Sequence, residues 1–301
     1  MSKLRTKHSG VPSVASMPSQ TESPSSAKPF LRWAGSKRKQ LHRLVRFWRS
    51  SHHRYIEPFA GSACLFFEIA PGQSILGDNN RGLIDLFRAV RDRPDRIFDR
   101  LRRIPRDAET YYRWRAKTPK KLDIETRAVR FLYLNRNCFN GIFRTNVQGE
   151  FNVPIGTKQG AYFSRTDLRK CSILLQNTKF VAGDFKKTLE FVETGDFVYL
   201  DPPFAVTSRR LFRQYGAGSF DTSDVPRLAE SLTEIDNRGA EFLVSYADCK
   251  EARNLGKQWN AVRFPIRRNV AGFSSDRRDA YEWLISNVAT QSELREPTRK
   301  V

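Results

Sequence analysis

The residues with the clearest chemical potential are Asp201-Pro202-Pro203-Phe204, which follow the apolar run 197–200. That run predicts a buried β-strand, and the two prolines then force the chain out of the sheet. The Asp201 carboxylate, the Pro202 carbonyl and the Phe204 ring would thus lie at the carboxyl edge of a sheet, where open α/β sheets bind ligands. Two acceptors suit an exocyclic amino group, and a ring suits a stacked base. The alternative is an ordinary turn at a strand end.

A second set of candidates lies near the amino end of the chain, between Trp33 and Lys37. The small residues Ala34-Gly35-Ser36 can bring backbone close to a ligand, and Ser36 is expected to cap a helix that follows. A cation at the start of a helix is unfavourable with the helix dipole, which favours a role for Lys37 against a bound anion. A solvated lysine is the alternative.

A third candidate is a strand–turn–helix–strand unit that ends in an acidic residue. The strand at 55–57 runs into a turn containing Gly61, a helix is predicted over 64–70, and the next strand, 74–77, ends at Asp78. In nucleotide-binding βαβ units the turn admits the ligand, and the acid binds ribose hydroxyls. Stronger fingerprints carry two or three glycines in the turn. An ordinary pair of α/β turns is therefore the alternative.

The segment 131–156 predicts a helix that ends near Asn140-Gly141 and a β-hairpin with Gly149 in its turn. The hairpin carries arginine and asparagine and shows little apolar alternation, so it is not expected to serve the core. Arginine and asparagine pair with guanine and adenine edges in the DNA major groove. A surface hairpin without a partner is the alternative.

The remaining chain alternates helices with short apolar strands, which predicts the α/β class. The predicted helices are 164–176, 223–238 and 249–258, and the predicted strands are 179–183, 241–246, 261–266 and 281–285, the last two antiparallel. Residues 205–222 are expected to form a mobile loop beside the Asp201 site.

Composition favours a nucleic-acid partner. The 301 residues include 53 Lys+Arg and 32 Asp+Glu, which gives a formal net charge of +21. A charge this large attracts polyanions, most simply nucleic acid, although a generally basic protein is the alternative. The length suits either one large domain or a core domain with a sizeable insertion, and the hydrophobic fraction of 39% supports a packed core.

The cysteines indicate a reducing compartment. Cys64, Cys138, Cys171 and Cys249 show no metal-binding spacing, so neither a metal site nor a disulfide framework is predicted, and buried or incidental thiols are expected. No apolar run approaches membrane-spanning length, and the amino terminus lacks the apolar core of a signal peptide. A cytoplasmic protein without a membrane partner is expected.

Together these segments resemble the Dam-type (alpha group) DNA adenine-N6 methyltransferases, in which the cofactor motif precedes the catalytic motif. The resemblance covers about residues 29–287 and is most specific over 134–156. It implies an α/β fold: a Rossmann-like S-adenosylmethionine-dependent methyltransferase sheet with an inserted, mainly helical DNA-recognition domain that contains the hairpin. The implied catalytic domain comprises residues 28–92 and 179–287, the insertion is 93–178, and residues 1–27 and 288–301 are expected to be disordered tails.

The resemblance also implies a role for each candidate residue. The cofactor S-adenosylmethionine would contact Trp33, Lys37, Phe59, Gly61, Asp78, Asp184 and Phe185. Asp201, Pro202, Pro203 and Phe204 would hold the target adenine. Duplex DNA would contact Arg32, Asn140, Ile142, Arg144, Asn146, Asn152, Pro154 and Lys158. In this scheme Asn140 and Ile142 lie near the flipped base pair, and Arg144 reads a guanine in a GATC-like site. A monomer without a bound metal is expected.

Several positions depart from the family pattern. Phe204 stands where the family usually has tyrosine, which preserves stacking and removes a hydroxyl. Ala63 replaces a common second glycine of the cofactor loop. Arg32 stands where lysine is common, and Thr157 and Lys158 stand where GATC-specific members tend to have arginine and tyrosine. The last three positions bear on phosphate contact and on the outer bases.

Two other functions are compatible with these patterns. One is a methyltransferase that acts on RNA or on a protein amide; enzymes that modify glutamine prefer asparagine in place of Asp201. The other is a catalytically silent DNA-binding protein on the same fold, for which Phe204 and Ala63 are the only indications. The agreement of several motifs in order and context favours the DNA methyltransferase.

Overall fold

The fold is built on one mixed β-sheet. The computed structural model describes residues 26–146, 148–203, 220–267 and 279–288. Within them the sheet has seven strands in the order β3-β2-β1-β4-β5-β7-β6. Strands β1 to β5 are mutually parallel, and β7 is antiparallel to both of its neighbours. The strands are β1 (Tyr55–Glu57), β2 (Ser74–Asp78), β3 (Thr178–Ala182), β4 (Phe197–Leu200), β5 (Glu241–Ala247), β6 (Asn260–Arg267) and β7 (Asp279–Ser286).

Ten α-helices connect the strands in the described part of the chain. Five of them, α3 to α7, come between β2 and β3, together with the hairpin. The helices are α1 (Leu41–Leu44), α2 (Cys64–Ile69), α3 (Arg81–Asp92), α4 (Pro94–Arg102), α5 (Ala108–Ala116), α6 (Ile124–Asn137), α7 (Arg165–Leu174), α8 (Phe185–Leu189), α9 (Asp224–Asn237) and α10 (Lys250–Leu255). The predicted bounds of the insertion, 93–178, begin just before α4 and end with the first residue of β3.

Both faces of the sheet are covered, because side chains of each strand alternate between two apolar clusters. Tyr55 and Tyr199 belong to a cluster that also contains side chains of α2, α3 and α6. Ile56 and Val198, each next to one of those tyrosines, belong to the cluster that contains side chains of α8 and α9. The central strand β4 is consequently buried along its whole length.

The strand order places a crevice between β1 and β4. From β1 the chain builds outward through β2 and β3, and from β4 it builds in the opposite direction to β5. At such a switch point the two connections leave the carboxyl edge in opposite directions and open a crevice there. Residues 58–63 follow β1, and Asp201 follows β4, so both flank this crevice.

The segment predicted as a helix after Ser36 is more tightly wound at its start. Lys37–Gln40 is a 3₁₀ turn, followed by the short helix α1, and the Ser36 side chain makes no capping hydrogen bond. The prediction of a Ser36 cap was therefore wrong. Side chains three positions apart eclipse in a 3₁₀ turn, which directs Lys37 and Gln40 toward the same carboxylate, that of Glu282.

The predicted hairpin is present in a reduced form. Its arms form an isolated bridge between Thr145 and Phe151, rather than regular strands. The expectation that it does not serve the core was wrong. Phe151 and Val153 are 7% and 2% exposed, and the Phe143 ring stacks on Phe131 of α6 with centroids 5.0 Å apart. These contacts fasten the hairpin to α6 and leave its polar side chains outward.

The other predicted elements occur within a few residues of their expected bounds, and the last two strands pair antiparallel as predicted. The expected mobile loop, 205–222, lies outside the described residues except for 220–222, and so do the two predicted tails apart from 26–27 and 288. In the described part of the chain the cysteines are free thiols, three of them buried. No described helix has the length and apolar character needed to cross a membrane.

Candidate active site

The Asp201 carboxylate lies directly beyond β4, and two donors converge on one of its oxygens. The Lys37 ammonium lies 2.7 Å from Asp201 Oδ1, and the Ser245 hydroxyl donates to the same Oδ1 over 2.8 Å. Asp201 Oδ2 has no hydrogen-bond partner among the described residues. The carboxylate is 21% exposed, whereas Lys37 is 5% exposed. The anion that Lys37 meets is thus a carboxylate of the protein itself.

A buried row of polar side chains supports this contact from beneath. The Tyr199 hydroxyl lies 3.0 Å from Ser245 Oγ, and Gln40 donates to Glu282 Oε2 over 2.8 Å. Glu282 Oε2 also lies 3.9 Å from the Lys37 ammonium. Burial alone would lower the pKa of Lys37, but the Asp201 and Glu282 carboxylates outweigh burial and raise that pKa above its ordinary value.

Glu57, at the carboxyl end of β1, adds a buried acid to the same edge. It is 3% exposed and accepts a hydrogen bond of 3.0 Å from the Tyr55 hydroxyl. Burial raises the pKa of Glu57 well above its ordinary value, and the nearby Asp201 and Asp78 carboxylates add to this against the opposing hydrogen bond. Burial thus makes ionisation of Glu57 less favourable than in water.

The loop after β1 is tied to the end of β2. Gly61 N–H donates to Asp78 Oδ2 over 3.0 Å, and Asn80 N–H donates to Asp78 Oδ1 over 2.8 Å. Burial raises the pKa of Asp78 despite these two donors. Gly61 has φ 48° and Ala63 has φ 50°, so both lie in the left-handed region. Each Asp78 oxygen retains acceptor capacity for a further donor.

Aromatic rings line the side of the site next to α8. Phe59 and Phe185 stack with centroids 5.3 Å apart, and Phe220 meets the Phe59 ring edge-on at 5.9 Å. Asp184 accepts from Arg227 over 2.8 Å and from the Lys186 N–H over 3.0 Å at the start of α8. Phe185 and Phe220 are 5% and 6% exposed, so the half-buried Phe59 is the most accessible ring of this group.

Trp33 connects the cofactor candidates to the hairpin. Its ring is nearly parallel to those of Phe131 and Phe143, with centroids 6.4 Å and 6.0 Å away. A Cβ on Gly61 would lie 2.8 Å from Trp33 Cδ1, so the close approach requires glycine there. The backbone of the neighbouring Arg32 exchanges two hydrogen bonds with the Asn135 side chain of α6.

The polar side chains of the hairpin either stabilise its turn or orient Arg144. Asn146 is used by the turn, because its Oδ1 accepts from two backbone N–H groups, those of Gln148 and Glu150. Asn152 Oδ1 accepts from Arg144 Nε over 2.9 Å, which holds the guanidinium in place. The terminal amino groups of Arg144 have no hydrogen-bond partner in the described chain, so they can donate to another molecule.

The remaining DNA candidates lie around the base of the hairpin. Asn140 is exposed and left-handed, with φ 53°, Ile142 is half-buried, and Pro154 and Lys158 are exposed. Beside Asn140, the ring of Phe139 is 45% exposed. An aromatic ring this accessible, directly next to a left-handed residue, was not singled out from the sequence.

Of the proposed catalytic and cofactor residues, the structure brings Lys37 into contact with Asp201, and Gly61 into contact with Asp78. Phe59, Asp184 and Phe185 form a neighbouring group around α8. Pro202 is buried and Pro203 is exposed. Phe204 lies outside the described residues, so its stacking role stays a prediction.

Sequence reasoning missed Ser245, Tyr199 and Glu282. Ser245 contacts Asp201 and Tyr199, and Glu282 contacts Lys37 and Gln40. These contacts join distant parts of the chain, so local spacing carries no signal for them. The available sign was a hydroxyl at Ser245 and an acid at Glu282 within otherwise apolar strands, since buried polar side chains need partners. No group of three or more side chains suited to hold a metal occurs among the described residues.

The sheet and its carboxyl-edge site are consistent with the fold of S-adenosylmethionine-dependent methyltransferases. Residues 33–268 match the family model described as D12 class N6 adenine-specific DNA methyltransferase. The chain therefore belongs to the D12 class N6 adenine-specific DNA methyltransferases, and it is an enzyme that methylates adenine in DNA. The predicted resemblance and fold class are confirmed.

Curated relatives agree with the family assignment. The chain is 31% identical over 271 residues to the type II methyltransferase M1.LlaDCHI of Lactococcus lactis subsp. cremoris, covering 86% of this chain and 95% of the relative. It is 30% identical over 285 residues to the type II methyltransferase M.MjaIII of Methanocaldococcus jannaschii, covering 86% and 99%. It is 31% identical over 262 residues to the DNA adenine methylase of Escherichia coli, covering 85% and 94%.

Proposed function

We propose that the enzyme takes the methyl group from S-adenosylmethionine and transfers it to N6 of an adenine that has been flipped out of duplex DNA, in a GATC-like site. The observation that carries this proposal is the Asp201 carboxylate, held at the switch-point crevice with one oxygen clamped and the other available. The Pro202 carbonyl follows it in the chain. The cofactor candidates lie along the same edge of the sheet.

The residues along this edge fit S-adenosylmethionine. Asp78 has acceptor capacity left for a ribose diol, because a carboxylate accepts about four hydrogen bonds and two donors are in place. The half-buried Phe59 ring would contact the adenine ring of the cofactor. Phe185 is 5% exposed and contacts Phe59 and the Arg227 guanidinium, so it would support the Phe59 ring. Asp184 offers an acceptor to the adenine amino group. The left-handed turn at Gly61 keeps side chains out of the path of the ligand. When bound, S-adenosylmethionine supplies an electrophilic sulfonium methyl group.

Asp201 and Pro202 would act on the nucleophile. The lone pair of the adenine amino group is conjugated with the ring, which makes N6 a poor nucleophile. Hydrogen bonds from the amino group to the Asp201 carboxylate and the Pro202 carbonyl draw the nitrogen toward tetrahedral geometry and aim its lone pair at the methyl group. Orientation supplies most of the acceleration, and the fixed acceptors stabilise positive charge that develops on nitrogen.

The hairpin would recognise DNA and hold the gap that the flipped base leaves. Flipping costs a few kcal/mol, and stacking of the extruded adenine on Phe204 would return on the order of 1–3 kcal/mol. The exposed Phe139 ring fits the vacated stack, because apolar side chains inserted between base steps stabilise an opened duplex. Arg144, oriented by Asn152, has the bidentate donors that read guanine.

Removal of the Asp201 carboxylate tests the proposed chemistry. Asp201→Ala is expected to abolish methyl transfer and to leave duplex affinity within about threefold of the wild type, because the carboxylate acts on the amine rather than on the DNA backbone. Asp92→Ala, an exposed acid on α3, is the matched control and should keep full activity. Transfer of labelled methyl from S-adenosylmethionine, together with DNA binding by anisotropy, gives both values. Turnover in Asp201→Ala would refute the mechanism.

Truncation of Arg144 tests base recognition. Arg144→Ala is expected to cost about 1–3 kcal/mol of discrimination at one base pair and to leave the salt dependence of binding nearly unchanged. The measurement is the methylation rate on duplexes that vary one position at a time. An equal loss on every sequence, with a shallower salt dependence, would instead assign Arg144 to a phosphate.

Expression in a methylation-deficient bacterial host tests the function as a whole. Mapping N6-methyladenine across the genome by single-molecule sequencing should return one enriched motif, which also shows whether Thr157 and Lys158 move recognition away from GATC. A folded protein that leaves no methyladenine would favour the silent DNA-binding protein or a substrate other than DNA.

A further inference from the structure

We propose that Ser245 is a positioning residue, which fixes the orientation of the Asp201 carboxylate so that Oδ2 faces the adenine amine. This inference rests on the proposed role of Asp201. Ser245 is fully buried in β5, one strand away from β4, and its hydroxyl donates to Asp201 Oδ1 over 2.8 Å. Because Lys37 also contacts Oδ1, both protein donors lie on the same oxygen.

The direction of the hydrogen bonds follows from the number of protons available. A serine hydroxyl has one proton to donate, and Ser245 donates it to Asp201. The 3.0 Å contact between Tyr199 and Ser245 must therefore run from the tyrosine O–H to Ser245 Oγ. Burial raises the pKa of Tyr199 well above its ordinary value, so the phenol stays protonated and the direction of the chain is preserved.

The hydrogen-bond series Tyr199–Ser245–Asp201 fixes the orientation of the carboxylate, which Lys37 alone cannot do. A lysine ammonium is a flexible point charge that can follow either carboxylate oxygen as the group rotates. A buried serine on a strand is a fixed donor, and a tyrosine 1% exposed holds it from behind. Hydrogen bonds in such a chain polarise one another and strengthen the last one. Rotation of the carboxylate is thereby opposed, and Oδ2 stays directed into the crevice.

Removing the Ser245 hydroxyl should impair transfer but not binding. Ser245→Ala is expected to lower the single-turnover rate of methyl transfer by about 10- to 100-fold, since loss of alignment acts on the chemical step. The affinities for S-adenosylmethionine and for a duplex containing the mapped motif should stay within about threefold. Ser245→Cys, a weaker donor of similar size, should give an intermediate rate. The full-length protein is used throughout.

The matched control is another buried serine of the same sheet. Ser286 is 1% exposed and donates to the Phe242 carbonyl over 2.7 Å, without contact to Asp201. Ser286→Ala therefore reports the general cost of removing a buried hydroxyl and should keep the wild-type transfer rate. Thermal unfolding of each variant separates a folding defect from an alignment defect.

Tyr199→Phe supplies a second, nearly isosteric test. It should slow transfer by less than Ser245→Ala, and it should have no further effect in the Ser245→Ala background, because the chain is already cut there. If the rate reductions of the two single variants multiply in the double variant, the proposed hydrogen-bond series is refuted. A wild-type transfer rate in Ser245→Ala, while Asp201→Ala is inactive, would refute the role of Ser245 alone. Activity in both variants would overturn the proposed function of Asp201 as well.

Discussion

At the scale of single residues, Ala63 shows how the loop after β1 accepts a departure from the family pattern. Its φ of 50° is a left-handed conformation that costs an L-residue about 1–2 kcal/mol. The residue is 1% exposed, so its methyl group is buried in the core. The favourable burial and the unfavourable dihedral angle oppose each other, which explains how alanine serves where glycine is common.

A pair of substitutions isolates the strain at Ala63. Ala63→Gly relieves the dihedral strain but loses a buried methyl and gains chain entropy in the unfolded state, so the free energy of unfolding should change by less than about 0.5 kcal/mol. Ala60→Gly, in the same loop but without a left-handed conformation, should lower it by about 1–2 kcal/mol. Denaturant unfolding measures both. Equal losses would show that Ala63 carries no strain.

Whether a site residue could be predicted from the sequence depends on how close in the chain its indicating neighbours lie. Asp201 was predictable because its two prolines and the preceding apolar run are adjacent in the chain. Ser245 was not, because its partner is 44 positions away and no local spacing encodes the contact. Lys37 was predicted to face a bound anion, and in the structure its ammonium contacts the Asp201 carboxylate. Only the assembled sheet creates this contact.

At the scale of elements, helix α8 packs against β2 so closely at Gly77 that a side chain there would clash with Thr188. A Cβ on Gly77 would lie 2.0 Å from Thr188 Oγ1, and that hydroxyl has no hydrogen-bond partner among the described residues. Since Asp184 caps α8 and Phe185 begins it, the position of this helix sets the position of two proposed cofactor contacts.

Gly77→Ala is therefore expected to shift α8 away from β2. Overpacking of this kind should lower the free energy of unfolding by about 1–3 kcal/mol and weaken S-adenosylmethionine binding. Thr188→Ala removes the clashing hydroxyl and should restore part of both losses when combined with Gly77→Ala. Calorimetric titration and thermal unfolding of the two single variants and the double variant give the coupling. Independent, additive effects would mean that this contact does not position α8.

The elements also show where local patterns fail. The helix after Ser36 was expected from apolar spacing, but its first turn is 3₁₀, and it directs Lys37 and Gln40 toward the buried Glu282 carboxylate. The hairpin was expected to stand apart from the core, but Phe143, Phe151 and Val153 pack inward. In both segments tertiary contacts decide the geometry, and alternation over a few residues does not report them.

At the scale of the whole molecule, charge and shape contribute differently to DNA binding. The net charge of +21 acts on any duplex, because Lys and Arg release counterions from phosphates irrespective of sequence. Under the proposed function, the Asp201 crevice and the Arg144 side chain would act only on particular bases. Affinity and sequence choice should therefore respond to different changes in the chain.

Deletion of residues 1–25 tests this separation, because that segment contains three of the 53 Lys+Arg residues and none of the proposed site. Each phosphate contact contributes about 0.9 to the slope of log affinity against log salt, so the deletion should make the slope shallower by less than about 3. The methylated motif and the rate at saturating DNA should not change. Binding titrations from 50 to 200 mM salt measure the slope. Arg144→Ala is the comparison, because it should change base discrimination and leave the slope nearly unchanged. A changed motif after deletion would show that the segment takes part in base recognition, and the division between general attraction and local readout would fail.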